Sequence, residues 1–117
     1  MSVPTLFGIP NCDTVRKARK WLEGQSIAHE FVDLRENTPA ADQIATWLEA
    51  LGADRLINRR STTYQQLDDA QRAALQGDEA ITLLREHPTL IKRPVLAVHG
   101  RLSVGFSEQD YAELFHV

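Results

Sequence analysis

Cys12 is the only cysteine in the chain, and it stands in GIPNCDTVRKARKWL, where a loop runs into a helical pattern. Only a thiolate attacks disulfides and electrophiles. A helix start favours that form, because it offers unpaired N–H groups and the positive end of the helix dipole. Thr14 adds a hydroxyl donor, and Arg16, one turn on, brings positive charge. Asp13 opposes the thiolate unless its carboxylate points away. An isolated cysteine is equally at home as a small buried hydrophobe, and the local pattern leaves both readings open. The residue that constrains the chemistry is Val15, where a C-x-x-C motif would place its second cysteine. Valine cannot resolve a mixed disulfide. If Cys12 turns over, the resolving thiol comes from another molecule, and in a cytoplasm the abundant candidate is glutathione.

The elements that must position Cys12 follow from hydrophobic pattern and punctuation. VPTLFGI reads as a buried strand ended by Gly8, Pro10 and Asn11. From Asp13 a helix is expected with Val15, Ala18, Trp21 and Leu22 on its inner side and Gly24 as its stop. Ile27 to Leu34 reads as a second strand, parallel to the first across the helical crossover. Thr38-Pro39 reads as N-cap and first position of a helix that buries Ile44, Trp47, Leu48 and Leu51 and ends at Gly52. Helical pieces are expected over Tyr64 to Leu75 and Asp78 to His87, with Gly77 between them, Asp78 as a cap and Pro88 as the stop. Asp68-Asp69 reads as a helix cap rather than an acid/base pair. Pro94 to Phe106 reads as a hairpin turning at His99-Gly100, and Ser107 caps a last helix with Tyr111, Leu114 and Phe115 inward. The fold class is α/β: a thioredoxin-like β-α-β/β-β-α mixed sheet, with a helical insertion over roughly residues 38–88 of a single domain spanning 1–117.

Composition excludes several classes of function. The chain has 117 residues, enough for one domain and its core, with 43% hydrophobic and 25% charged residues. A net charge of −3 argues against a general nucleic-acid binder. No apolar run has the length of a membrane span, and the N-terminus lacks the basic region of a signal peptide. One cysteine permits no internal disulfide, as expected of a cytoplasmic protein. The four histidines lack metal-ligand spacing, so no metal site is expected. Trp21 and Trp47 fall on apolar helix faces and read as core.

Four segments carry a family likeness: GIPNCDTVRKARKWL, INRRSTTYQQL, HPTLIKRPVLAV and GFSEQDY. With them the chain resembles the arsenate reductase (ArsC)-like family of thioredoxin-fold proteins, and within it a YffB-like branch. The resemblance implies that Cys12 is the nucleophile. It also implies that Arg93-Pro94 is a cis pair, with Arg93 beside the sulfur to stabilise the thiolate and hold an anion. A second site arginine maps onto Arg60, four residues before Tyr64, although arsenate reductases place theirs two residues earlier, where this chain has Asn58. Arg59 and Arg60 could both reach a nearby site, with a solvated loop position the preferred reading of Arg59.

A further arginine of the arsenate reductases maps onto Gly105, with Arg101 the only nearby candidate to compensate. Arsenate is therefore an unlikely substrate. The resemblance points to a glutathione-dependent thiol reductase without a covalently bound cofactor. Cys12, Arg93 and Arg60 would be catalytic, with Asn11, Thr14 and Pro94 shaping a glutathione pocket. Its substrate would be a small-molecule or protein disulfide, and the protein is expected to be a monomer.

The rival reading is a regulatory protein like the RNA-polymerase-binding members of the same family, with Gly52 near their binding position. Those regulators commonly use a C-x-x-C switch, which Val15 breaks, and they extend past the last helix, whereas this sequence stops at Val117.

Overall fold

A computed structural model describes residues 3–77 and 79–117. The chain divides into two units, one made of the residues up to Leu34 together with Arg93–Val117, the other of Arg35–Lys92. Among the described residues no helix is long and apolar enough to cross a membrane.

The first unit is built on four short strands, β1 (Thr5–Gly8), β2 (Glu30–Asp33), β3 (Val95–Val98) and β4 (Arg101–Val104), in the order β2-β1-β3-β4. β1 pairs parallel with β2 and antiparallel with β3, and β3 pairs antiparallel with β4. This is the mixed thioredoxin-like sheet expected from the sequence. The second strand is shorter than its apolar pattern suggested. β1 offers partners only from Thr5 to Gly8, and Ile27 spends its N–H on the Leu22 carbonyl, 2.9 Å away, to close the preceding helix. The hairpin turns where expected, and both turn residues have positive φ, His99 at 50° and Gly100 at 75°. That backbone matches the right-handed twist of the strands it joins.

Helix α1 (Asp13–Gly24) connects β1 to β2 and buries Val15, Ala18 and Leu22. Trp21 departs from its expected place in the core and is only half-buried. The helix lies tight against the end of β1: a Cβ on Gly8 would stand 2.8 Å from a Val15 methyl. Leu6, Ala18, Leu22, Leu96, Val98 and Tyr111 form the core between sheet and helices. Ser107 caps the last helix of this unit (Glu108–Phe115) as expected, its hydroxyl accepting the Asp110 N–H at 3.1 Å.

The second unit holds helices α2 (Ala41–Leu51), α3 (Ala53–Leu56), α4 (Thr62–Gln66), α5 (Asp69–Ala74) and α6 (Ala80–Glu86), then a 3-10 turn (Pro88–Leu90); the Ser107-capped helix is α7. Thr38 does not cap α2. The helix starts at Ala41, and the Pro39 carbonyl accepts from Arg85 Nε at 3.1 Å. Ile44, Trp47 and Leu51 are buried as expected, Leu48 only in part. Gly52 ends the helix at φ 82°, a backbone that glycine adopts without strain.

The expected helix over Tyr64 to Leu75 is two helices. Ser61 caps the first by accepting the Tyr64 N–H, and Asp68 caps the second in a capping box with Gln71. Asp78, read as a cap, lies outside the described residues. At the base of this unit Ile57 pairs with Ile91, flanked by 2.7 Å backbone bonds from Asn58 N–H to Leu90 and from Lys92 N–H to Leu56.

Candidate functional site

Cys12 is the residue at which extended backbone becomes helix, with φ −98° and ψ 128°. Its N–H donates to the Ile9 carbonyl at 3.2 Å, and its carbonyl accepts the Arg16 N–H at 2.9 Å, the first bond of α1. Cys12 therefore occupies the N-cap position, where serine or threonine would offer an oxygen to the second and third helical N–H groups. Those groups belong here to Thr14 and Val15. The sulfur makes no capping hydrogen bond of full geometry to them, but both N–H groups lie close enough to act on its charge.

Several influences set the state of this half-buried thiol. Burial is the largest and pushes it up; the Val15 N–H, the Arg93 side chain, the Thr14 N–H and the Arg93 charge pull it down and outweigh burial. Cys12 is thus held below the ordinary thiol range and is richer in thiolate at neutral pH than a free cysteine. Arg93 precedes Pro94 across a cis peptide bond. The Pro94 carbonyl accepts the Gly105 N–H at 2.9 Å, extending the β3–β4 ladder toward Cys12's side of the sheet.

The structure brings Cys12, Thr14, Arg93 and Pro94 into the first unit and leaves Asn11 as an exposed turn residue beside the cysteine. Thr14 acts through its N–H, whereas its hydroxyl was the expected donor. Arg16 does not reach the sulfur. Its guanidinium donates to Asp13 at 2.8 Å on the surface, which also answers how Asp13 sits beside a thiolate: its charge is matched by its own helix neighbour. Val15, read as an inner-face residue of the helix and as the place of a missing resolving cysteine, also supplies the foremost contact lowering the thiol. Its signal was in the sequence, since any N-cap side chain faces the N–H two and three residues on.

Arg60 belongs to the second unit. It is exposed, its N–H bonds Asn58 Oδ1 at 3.1 Å, and with Asn58, Arg59 and Lys92 it lines a surface cleft of about 360 Å³. Arg59 is tied to Asp54 at 2.7 Å. Arg101 starts β4 beside the hairpin turn, while Gly105 follows the far end of that strand. Four residues of extended chain, about 13 Å, separate them, so Arg101 does not stand in for a group at Gly105.

The histidines hold structural posts. His29 Nδ1 lies 3.1 Å from the Ile27 carbonyl, His87 ends α6, His99 turns the hairpin and His116 ends α7 with left-handed backbone.

The model of the ArsC family matches residues 7–114. An uncharacterized protein of Haemophilus influenzae is 40% identical over 111 residues, covering 95% of this chain and 97% of that one. The solved structure of a protein called YFFB superposes with a TM-score of 0.90 at 38% identity, covering 96% of this chain and 98% of that one. The global transcriptional regulator Spx of Listeria innocua is 33% identical, covering 91% of this chain and 82% of the regulator. A family match spanning nearly the whole length, carried on the sheet and the Cys12 loop just described, means that the chain belongs to the ArsC family.

Proposed function

We propose that the protein is a thiol reductase in which Cys12 is the nucleophile and glutathione the resolving thiol. Cys12 thiolate attacks the glutathionyl sulfur of a mixed disulfide R–S–S–G. The new bond gives Cys12–S–S–G, and R–S⁻ leaves and takes a proton from solvent. A glutathione thiolate then attacks the glutathionyl sulfur on Cys12, forming glutathione disulfide and returning the Cys12 thiolate. Each turnover consumes one R–S–S–G and one glutathione thiol and releases one R–SH and one glutathione disulfide, so a single glutathione is oxidised as R is reduced.

The observation that carries this reading is the thiol at the α1 N-cap, accessible and held down by the Val15 and Thr14 N–H groups and by Arg93. Without a second cysteine, resolution must be intermolecular. Asn11, Thr14 and Pro94 shape the approach to the sulfur, with Arg93 offered to a glutathione carboxylate. The protein works as a monomer. Arsenate is not the preferred oxidant: a small dianion needs several converging donors, Gly105 offers none from its side chain, and Arg101 is at the wrong end of β4.

The test is the pH dependence of Cys12 alkylation, followed by mass, with and without glutathione disulfide. A half-point below the free-thiol value of about 8.5, with one glutathione added and reversibly removed, supports the reductase. A normal or inaccessible thiol that takes no glutathione overturns it.

A second reading, a transcription regulator, is favoured by the 33% identity to Spx. Stable retention of RNA polymerase by the tagged protein, with no thiol turnover, would make it the better one.

A further inference from the structure

A cleft of about 380 Å³ opens on the first unit between α1 and the start of α7, lined by Lys17, Lys20, Trp21, Phe106 and Glu108. Its volume is within the range of small-molecule sites. Its two aromatic walls are held firmly. Tyr111, fully buried, meets Trp21 edge-on at 5.7 Å and Phe106 edge-on at 4.8 Å, so neither ring can turn without disturbing the core. The indole N–H of Trp21 has no acceptor among the described residues, and the ring is only half-buried, which leaves an apolar face and a donor available to a guest.

The charges of the cleft are also unspent. Along the same helix Arg16 is neutralised by Asp13, but Lys17 and Lys20 make no ion pair among the described residues. Nor does Glu108, across the cleft. Two ammonium groups and one carboxylate leave the cleft positive on a chain whose net charge is −3. Two lysines three residues apart project from one flank of a helix, here beside a fixed indole. A local excess of positive charge next to clamped, partly exposed rings selects a guest that is flat and apolar on one side and anionic at its end.

We infer that this cleft is a binding site for a planar aromatic acid, its ring lodged between Trp21 and Phe106 and its carboxylate on Lys17 and Lys20. Glu108 faces the remaining rim and accepts from any N–H or O–H donor on the ring. The nearest lysine is five residues beyond Cys12, about 7.5 Å along the helix axis. The guest thus sits on the helix that carries the thiol without occupying the thiol itself. The site does not depend on Cys12 chemistry and stands or falls separately from the reductase reading.

The two tryptophans make the test direct. Trp47 is buried in the second unit at 2% exposure, so its indole N–H resonance serves as an internal reference for that of Trp21, assigned with Trp21→Phe. The full-length ¹⁵N-labelled protein is titrated with 2-naphthoate and, as its neutral counterpart, 2-naphthamide. The expected result is a saturable shift of the Trp21 indole resonance with naphthoate, the Trp47 resonance remaining still. Affinity should be about tenfold weaker for naphthamide and for Lys17→Gln/Lys20→Gln, the scale of one charge-assisted contact. Cys12→Ser should bind as the wild type does. No shift of Trp21, equal affinity for acid and amide, or an undiminished affinity in the double lysine variant would each overturn the inference.

Discussion

Arg93 and Arg60 are two arginines of one chain with opposite surroundings. Arg93 follows the second unit and leads into β3, and its side chain reaches the Cys12 sulfur, where it lowers the thiol both by contact and by charge. Arg60 stands on an exposed loop, its backbone fixed by Asn58 while its side chain faces a surface cleft; its neighbour Arg59 is already matched by Asp54. Charge near the surface is screened by water, whereas the same charge against a half-buried sulfur is not. The difference teaches that the count of arginines near a motif says little, and that the element delivering each one decides its effect.

The sharpest way to break this comparison is to remove the sulfur. Cys12→Ser should abolish all thiol exchange and glutathione uptake while leaving the fold intact, checked by mass and thermal melting. Next in size is Arg93→Ala. It removes two of the influences that lower the thiol, so the alkylation profile should move to higher pH, and exchange at pH 7 should slow about tenfold, the effect of losing one charge-assisted contact. The sign follows from the chemistry: a lowered thiol pKa means reactivity retained further down the pH scale, and loss of Arg93 gives it up from the acid side first.

Gly8→Ala comes third. The added methyl meets Val15 at 2.8 Å, where backbone and a valine methyl must give way, at a cost of about 1–3 kcal/mol in a denaturant melt. Because Val15 also supplies the foremost N–H contact to Cys12, the same variant should raise the thiol pKa, whereas a core change remote from α1 should not. Arg60→Ala is expected to do least. It should leave both the thiol profile and the exchange rate unchanged, as for one exposed side chain. A shift of the thiol profile as large as that of Arg93→Ala would erase the distinction between the two arginines.

Local signals were the legible ones. The Ser107 cap, the His99-Gly100 turn, the Gly52 stop and the Cys12 position at a helix start all rest on residues within a few positions of one another, and each lies where its spacing indicated. Thr38-Pro39 looked as local as any of these. It failed because Arg85, 46 residues away, holds the Pro39 carbonyl, a contact no short window contains. The length of β2 was likewise set by another segment, since a strand can be no longer than the ladder its neighbour offers.

Asp68-Asp69 reads as a helix cap, and DDAQ at residues 68–71 is the capping box that divides the helical stretch expected over Tyr64 to Leu75. One misreading was avoidable. Asp13 and Arg16 are spaced to pair with each other before either could act on Cys12. Trp21 was assigned to the core from its helix face alone. Its half-exposed edge depends on where Phe106 and Tyr111 arrive, and those come from the other end of the chain.

The hairpin has a use beyond its part in the sheet. Its turn lies at one end of a four-residue ladder, and the Pro94–Gly105 bond closes the other end. Strand pairing therefore insulates the His99-Gly100 tip from Cys12 by roughly 13 Å of hydrogen-bonded backbone. An epitope or fluorophore spliced into the tip should report on or immobilise the protein without touching its thiol. A single residue inserted within either strand would instead reverse which side chains face the core. The molecule thus carries its own attachment point, in the place where lengthening the chain disturbs it least.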